Sequence, residues 1–223
     1  PTPVFFNEWM ADNAHTLTNN ATGRADDWFE LYNAGDEPQN LSGFFLCNPS
    51  TNVVRFQIPV GTVIPARGFL IVWADNNPAA NKPGDSLHVD FHLKKEGESL
   101  GLYAPDGSLV DDQTFGPQAE DISEGRVPDG VGGRLLRFNE PTPGATNFRL
   151  HLEARVDSTD GRAHVRWSSL PGVKYRLVVR DAINAPWRPL ANVTAIASTS
   201  EVVDDVRSDN ARYYEVVLDP TSD

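Results

Sequence analysis

The chain is poor in the features that name many proteins. It carries one cysteine, Cys47, in 223 residues, so no disulfide can form within it and a small disulfide scaffold is excluded. That lone thiol follows Phe44-Phe45-Leu46 and reads as a half-buried, inert side chain. No apolar run approaches the ~20 residues of a membrane helix. Basic residues are scarce: 19 Lys and Arg face 31 Asp and Glu, a formal net charge of −12. Such a balance argues against nucleic acid as a partner and against docking on an anionic membrane. There is no Gly-x-Ser-x-Gly elbow, no His-Glu-x-x-His, no phosphate loop and no dinucleotide fingerprint. Helical periodicity is nearly missing as well. The chain opens Pro1-Thr2-Pro3-Val4, with neither initiator Met nor a basic and apolar leader, and is read as a trimmed fragment or mature product.

What the sequence does have is alternation. Hydrophobic residues make up 39%, and 17 Gly and 17 Pro interrupt them at short intervals. In Leu87-His88-Val89-Asp90-Phe91-His92-Leu93 the odd positions are apolar; in Phe148–Val156 the even ones are. Tyr175, Leu177 and Val179 share one face of a third such segment. Side chains of a strand point to opposite faces in turn, so each segment reads as a strand with one face on a core and one in water. Further strands are expected at Val4–Trp9, Trp28–Asn33, Gly43–Leu46, Val53–Ile58, Gly68–Trp73, Ser99–Tyr103, Leu109–Phe115, Arg134–Phe138, Ala163–Trp167, Glu201–Val206 and Arg212–Leu218. Many short strands with frequent turns predict an all-β fold of sandwiches or barrels, in two tandem domains. The boundary falls at Pro141-Thr142-Pro143-Gly144-Ala145-Thr146, giving domains at 1–147 and 148–223. The charge changes there too: the first stretch holds 20 acids against 9 bases, the second 11 against 10.

An ordered set of motifs runs through the first domain. Phe6-Asn7-Glu8-Trp9-Met10-Ala11 comes first, then Asp27-Trp28-Phe29-Glu30-Leu31-Tyr32-Asn33 and Asn40-Leu41-Ser42-Gly43-Phe44. Gly68–Ala74, Gly97–Leu102, Asp121–Arg126 and Pro141–Gly144 complete it. The series resembles the lamin tail domain family, in its bacterial secreted branch, over residues 3–147. The resemblance implies an immunoglobulin-like sandwich and a non-catalytic module of an exported or cell-surface protein. Nuclear relatives follow a coiled-coil rod and some bind chromatin; with no heptad segment and no basic cluster, that role is not carried over. The second domain resembles fibronectin type III-like or immunoglobulin-like repeats through Val165-Arg166-Trp167, Gly172–Leu177, Trp187 and Tyr213–Val217. The usual last strand has no room after Val217, so the sheet is one strand short or a neighbour completes it.

Three constellations could carry chemistry. Glu8 and Glu30 each lie beside a tryptophan in a strand, and pairing of the strands would bring two carboxylates together. Like charges held close need a counter-charge, a proton or a metal. Arg126 is the expected partner, because its guanidinium can grip a carboxylate through two hydrogen bonds. The sharper alternative is a paired-carboxylate glycosidase site, which needs the carboxyls ~5–9.5 Å apart across an open cleft. His88, Asp90 and His92 have the residue types of a zinc or iron site. In an extended strand they share the wet face, but the two histidines then lie ~13 Å apart at ~3.3 Å per residue. A single ion reaches two of the three at most, and the other reading is an exposed polar face. Among the tryptophans, Trp9, Trp28, Trp73 and Trp167 fit a core, whereas Trp187, between Pro186 and Pro189, is expected in solvent as a candidate contact for a glycan.

These observations predict a non-catalytic interaction, spacer or anchoring module of an exported or cell-surface bacterial protein, with a protein or a cell-surface glycan as partner. No resident cofactor is expected. Calcium, which takes 6–8 oxygen ligands, is the one ion the acidic pairs Asp26-Asp27, Asp36-Glu37, Asp111-Asp112, Glu120-Asp121 and Asp204-Asp205 could suit. The alternatives are a calcium-dependent carbohydrate-binding module and a metal-dependent hydrolase.

Overall fold

A computed structural model describes residues 2–48, 55–205 and 212–218. The chain divides into two compact units, Pro1–Phe148 and Arg149–Asp223. Both are built from strands, and the described residues include no helix long and apolar enough to cross a membrane.

In the first unit the strands are β1 (Val4–Met10), β2 (Trp28–Asn33), β3 (Gln39–Asn40), β4 (Phe45–Cys47), β5 (Arg55–Gln57), β6 (Val63–Ile64), β7 (Phe69–Trp73), β8 (Leu87–His88), β9 (Glu98–Tyr103), β10 (Leu109–Phe115), β11 (Ser123–Val127) and β12 (Arg134–Phe138). One sheet has the order β12-β11-β1-β2-β7-β8, the other β10-β9-β4-β5, and β3 pairs with β6 alone. Alternation decides what lies between the sheets. Val4, Phe6 and Trp9 of β1, Phe29 and Leu31 of β2 and Val72 of β7 point inward, where they meet Leu46, Phe56, Leu100, Leu102 and Phe115 from the second sheet. This is the two-layer packing of a β-sandwich, with side chains of both inner faces interdigitating.

The outer face of the larger sheet is covered as well. All six residues of β2 are buried, although only alternate ones can reach the sandwich core. Trp28 pairs across the strands with Met10 on one side and Trp73 on the other. These three form a second apolar cluster, with Leu17 and Ile71 packed against it. Glu8 and Glu30 face each other in the next row of the same face.

The second unit contains β13 (Leu152–Val156), β14 (Ala163–Ser168), β15 (Lys174–Arg180), β16 (Arg188–Thr194), β17 (Thr199–Asp204) and β18 (Tyr213–Leu218). They form two sheets, β13-β14-β17 and β16-β15-β18. Val165 and Trp167 of the first face Tyr175, Leu177 and Val179 of the second, with the Trp167 and Tyr175 rings 6.1 Å apart. Among the described residues β18 is at the edge of its sheet.

The all-β architecture is the expected one, and the differences are local. The strand expected over 87–93 stops at His88, where the chain bends, and the one expected from Phe148 begins only at Leu152. Residues 53 and 54 of the expected Val53–Ile58 strand, and residue 206 of Glu201–Val206, lie outside the described residues. Strand β11 was not anticipated, because Ser-Glu-Gly-Arg-Val has little intrinsic strand preference; it is held by β1 and β12 on either side. Strand β16 is hidden by Pro189, which an edge strand tolerates.

Candidate functional site

The most concentrated polar chemistry in the first unit lies on the outer face of its larger sheet. A register shift between Phe6 and Glu8 leaves Asn7 as an extra residue in β1. Glu8 and Glu30 are both fully buried there. A strap, residues 141–147, crosses above them and supplies donors. Thr142 gives its backbone N–H to Glu8 at 3.0 Å and its hydroxyl at 2.9 Å, and Ser123 adds a hydroxyl at 2.5 Å. The Gly144 N–H donates to Glu30 Oε2 at 2.5 Å, and Asn7 Nδ2 donates to Glu30 Oε1 at 3.1 Å. Asp129 stands beside them, accepting from Asn7 Nδ2 and from the Asn147 N–H, each at 3.0 Å. The Asn147 amide in turn bridges the carbonyls of Asn7 and Arg126 at 2.9 Å each.

No cation joins this cluster among the described residues. Arg126 extends instead to Asp111, 3.1 Å away, and to Gln113 Oε1 at 3.1 Å. The expected Glu8–Glu30–Arg126 ion pair is therefore corrected, and parity is the reason. Glu8 is opposite Gly125 in the ladder, so the neighbouring Arg126 projects from the other face of β11. Position 125 must be glycine, since a Cβ there would come within 2.5 Å of the Asn147 amide and 2.7 Å of the Asn7 carbonyl.

Without a counter-charge, burial raises both carboxyls above their ordinary value. Desolvation pushes Glu30 up to about 8, against the opposing bonds from Gly144 and Asn7 and with the like charges of Glu8 and Asp129 adding to the rise. Burial raises Glu8 as well, although Ser123 and Thr142 pull it back. The paired carboxyls thus face donors of their own chain and act as a clamp on the strap. An open, water-filled cleft, which a glycosidase pair requires, is not what surrounds them.

The histidine constellation comes apart. His88 is buried, not on a wet face, and its Nδ1 is 2.7 Å from the fully buried carboxylate of Asp75. Asn19 Nδ2 donates to that same oxygen at 2.9 Å. Beyond His88 the chain leaves the strand, and His92 is exposed with Nδ1 3.1 Å from the Ala74 carbonyl. Asp90 keeps one carboxylate oxygen buried without a partner among the described residues. His88, Asp90 and His92 do not form a metal-ligand group among the described residues; His15, Glu120 and Asp121 do come within 4.8 Å of one another. Asp121 there already accepts the Ala14 and His15 N–H groups through Oδ1. The Asp75–His88 pair was missed in the sequence because 13 residues separate its members. The only available signal was Asp75 two residues after the apolar strand β7.

Trp187 is 38% exposed, whereas the other four tryptophans are buried. The Arg180 guanidinium stacks on it at 4.3 Å and lies 5.5 Å from the Tyr213 ring.

These features define an immunoglobulin-like β-sandwich protein whose convergent acids serve its own architecture. A family model described as Lamin Tail Domain matches residues 1–117, and the chain belongs to that family. The family suggests a non-catalytic interaction module. The matched segment includes β1 through β10, while β11, β12 and the strap follow it within the same compact unit. A comparison with curated proteins returns no match.

Proposed function

We propose that the protein is a non-catalytic interaction and anchoring module of an exported or cell-surface bacterial protein, with a protein or a cell-surface glycan as partner. One observation carries this reading. The acids that the fold brings together, Glu8 and Glu30, are fully buried and filled by donors from residues 123 and 142–144, so neither is presented to a substrate. Solvent-facing chemistry lies elsewhere. The Trp187–Arg180–Tyr213 stack flanks edge strand β18, and both an aromatic platform and an open strand edge are common contact surfaces. The net charge of −12 disfavours nucleic acid as that partner. The reading calls for no resident cofactor, calcium at an acidic loop being the one ion it accommodates.

The test joins binding to turnover. The whole chain is screened against proteins, glycans and wall polymers, and in parallel against a panel of glycosides for hydrolysis. Binding is expected, with Trp187→Ala weakening any contact made by the stack and leaving the thermal midpoint nearly unchanged. Hydrolysis that disappears in Glu30→Gln contradicts the reading.

A further inference from the structure

A pocket of about 270 Å³ opens on the outer face of the first unit, above the Trp28–Trp73 cluster. Its apolar wall comes from Leu17, Ile71 and Trp73, and its polar groups include Lys82, Ser86 and His88. Trp73 is fixed in place, donating its indole N–H to Ser86 Oγ at 3.0 Å. We propose that this pocket binds the terminal sugar residue of a glycan, with His88 Nε2 hydrogen-bonded to a ligand hydroxyl. The proposal rests on the interaction-module reading and narrows its partner.

His88 carries the argument. It is only 3% exposed, and Asp75 fixes one side of its ring. An ionised carboxylate only accepts, and Asp75 Oδ2 already accepts from Asn19, so the proton between them belongs to His88 Nδ1. Nε2 is then an acceptor in the neutral ring and a donor in the protonated one, and a hydroxyl can meet either. It has no hydrogen-bond partner among the described residues, yet it is not among their fully enclosed unpartnered atoms. The pocket is where that nitrogen finds its partner. Ser86 Oγ, having accepted from Trp73, has its own proton to donate. Lys82 adds a second donor, and Asp85, also on the wall, an acceptor.

A mixture of donors and acceptors around an apolar floor matches a sugar ring, which has a C–H face and a rim of hydroxyls that both donate and accept. It matches neither a simple anion nor a simple cation. An extended peptide fits less well, because the free edge of β8 is already capped. The Asn81 side chain accepts the His88 N–H at 2.9 Å and donates to the His88 carbonyl at 2.8 Å. Strand addition, the usual route for a peptide at a sheet edge, is blocked there.

The probes are the methyl glycosides of glucose, galactose, N-acetylglucosamine and glucuronic acid, titrated into the whole chain while the imidazole nitrogens are followed by NMR. At least one should bind with a Kd of about 1 mM, the scale for a ligand of about a dozen heavy atoms. It should shift the His88 Nε2 signal and leave Nδ1 nearly unmoved. Two rim variants at exposed positions test the location: Ala21→Trp fills the pocket and Asp85→Ala removes an acceptor. Each should weaken binding about tenfold or more with the fold unchanged by circular dichroism. Sugar binding that ignores both variants and leaves His88 unmoved overturns the proposal while sparing the interaction reading. Silence of all four glycosides, or binding of a peptide in the pocket instead, overturns it too. Failure of every protein, glycan and wall polymer in the broader screen is the separate result that removes the interaction reading itself.

Discussion

Glu30 shows how one buried carboxyl makes stability depend on pH. In the folded chain it holds its proton up to about 8, and in the unfolded chain only to its ordinary value of 4.5. Between those values the folded state binds more protons, so its stability falls as pH rises. The contribution is fully present below about pH 4.5 and is lost as pH passes through about 8, at ~1.4 kcal/mol for each unit of separation. Urea denaturation followed through the Leu31 methyl signals should give a midpoint that falls from pH 5 to pH 9. Glu30→Gln should flatten much of that fall, the remainder belonging to the other carboxyls of the unit that burial raises, Glu8, Asp27, Glu98 and Asp111. Gly125→Ala tests the same clamp sterically: its Cβ collides with Asn147 and the Asn7 carbonyl, and a loss of ~1–3 kcal/mol is expected by denaturation. The sequence alone brings Glu8 and Glu30 together on the condition that their two strands pair, and β1 and β2 do pair with those residues in register. It did not place Arg126, whose parity relative to Glu8 depends on the register of β1 and β11, and register is not written in either strand alone.

At the scale of the element, β2 is the informative strand. Its inward residues Phe29 and Leu31 follow the ordinary alternation, and its outward ones, Trp28 and Glu30, are buried just as completely. A polar residue between two aromatics looks like an exposed face until the loop at 12–24 and the strap close over it. The alternation assigns Trp9, Trp28, Trp73 and Trp167 to core positions without separating the cores, while the structure gives Trp9 to the first sandwich interior, Trp28 and Trp73 to the outer cluster, and Trp167 to the second unit. Trp28→Ala should cost ~3–5 kcal/mol, as for deletion of any large buried aromatic. It should also expose the Trp73 indole, read as a red shift in fluorescence. Strand β8 teaches the opposite lesson. Alternation over 87–93 was real, since Leu87, Val89 and Leu93 are all buried, but the hydrogen-bonded ladder ends after two residues, and of the expected wet face His88 lies inside while His92 stays exposed. Asp75 and Asn81, neither of them within the segment, decide where His88 goes.

At the scale of the whole molecule, the two compact units each carry their own paired sheets, and the family match stops at residue 117, short of the boundary between them. The thirty-odd residues between match and boundary are not an appendage. Strand β11 lies next to β1 in the main sheet, and Ser123, Thr142 and Gly144 satisfy the buried carboxyls. Buried acceptors stripped of their donors are costly, roughly 1–3 kcal/mol each. A chain of residues 1–148 is therefore expected to fold on its own, with protected amides in β1 and β2 by hydrogen exchange. A chain of residues 1–117 is expected to lack that protection, even though it contains the whole match. Most of the all-strand plan was legible in the alternation, and the Pro-Thr-Pro-Gly segment reads in the sequence as a boundary. That this segment is a clamp as well as a boundary was not legible, because its contacts are with residues more than a hundred positions away.

The central claim is that the paired carboxyls of Glu8 and Glu30 are interior groups that hold the strap. The most direct measurement is a carbon-13 NMR titration of the glutamate side-chain carboxyls in the intact chain. The account predicts a Glu30 signal that is still protonated at neutral pH and titrates near 8, with the Gly144 amide signal changing in step. A Glu30 that titrates at its ordinary 4.5, with Gly144 unmoved, would show a carboxylate open to water and contradict it.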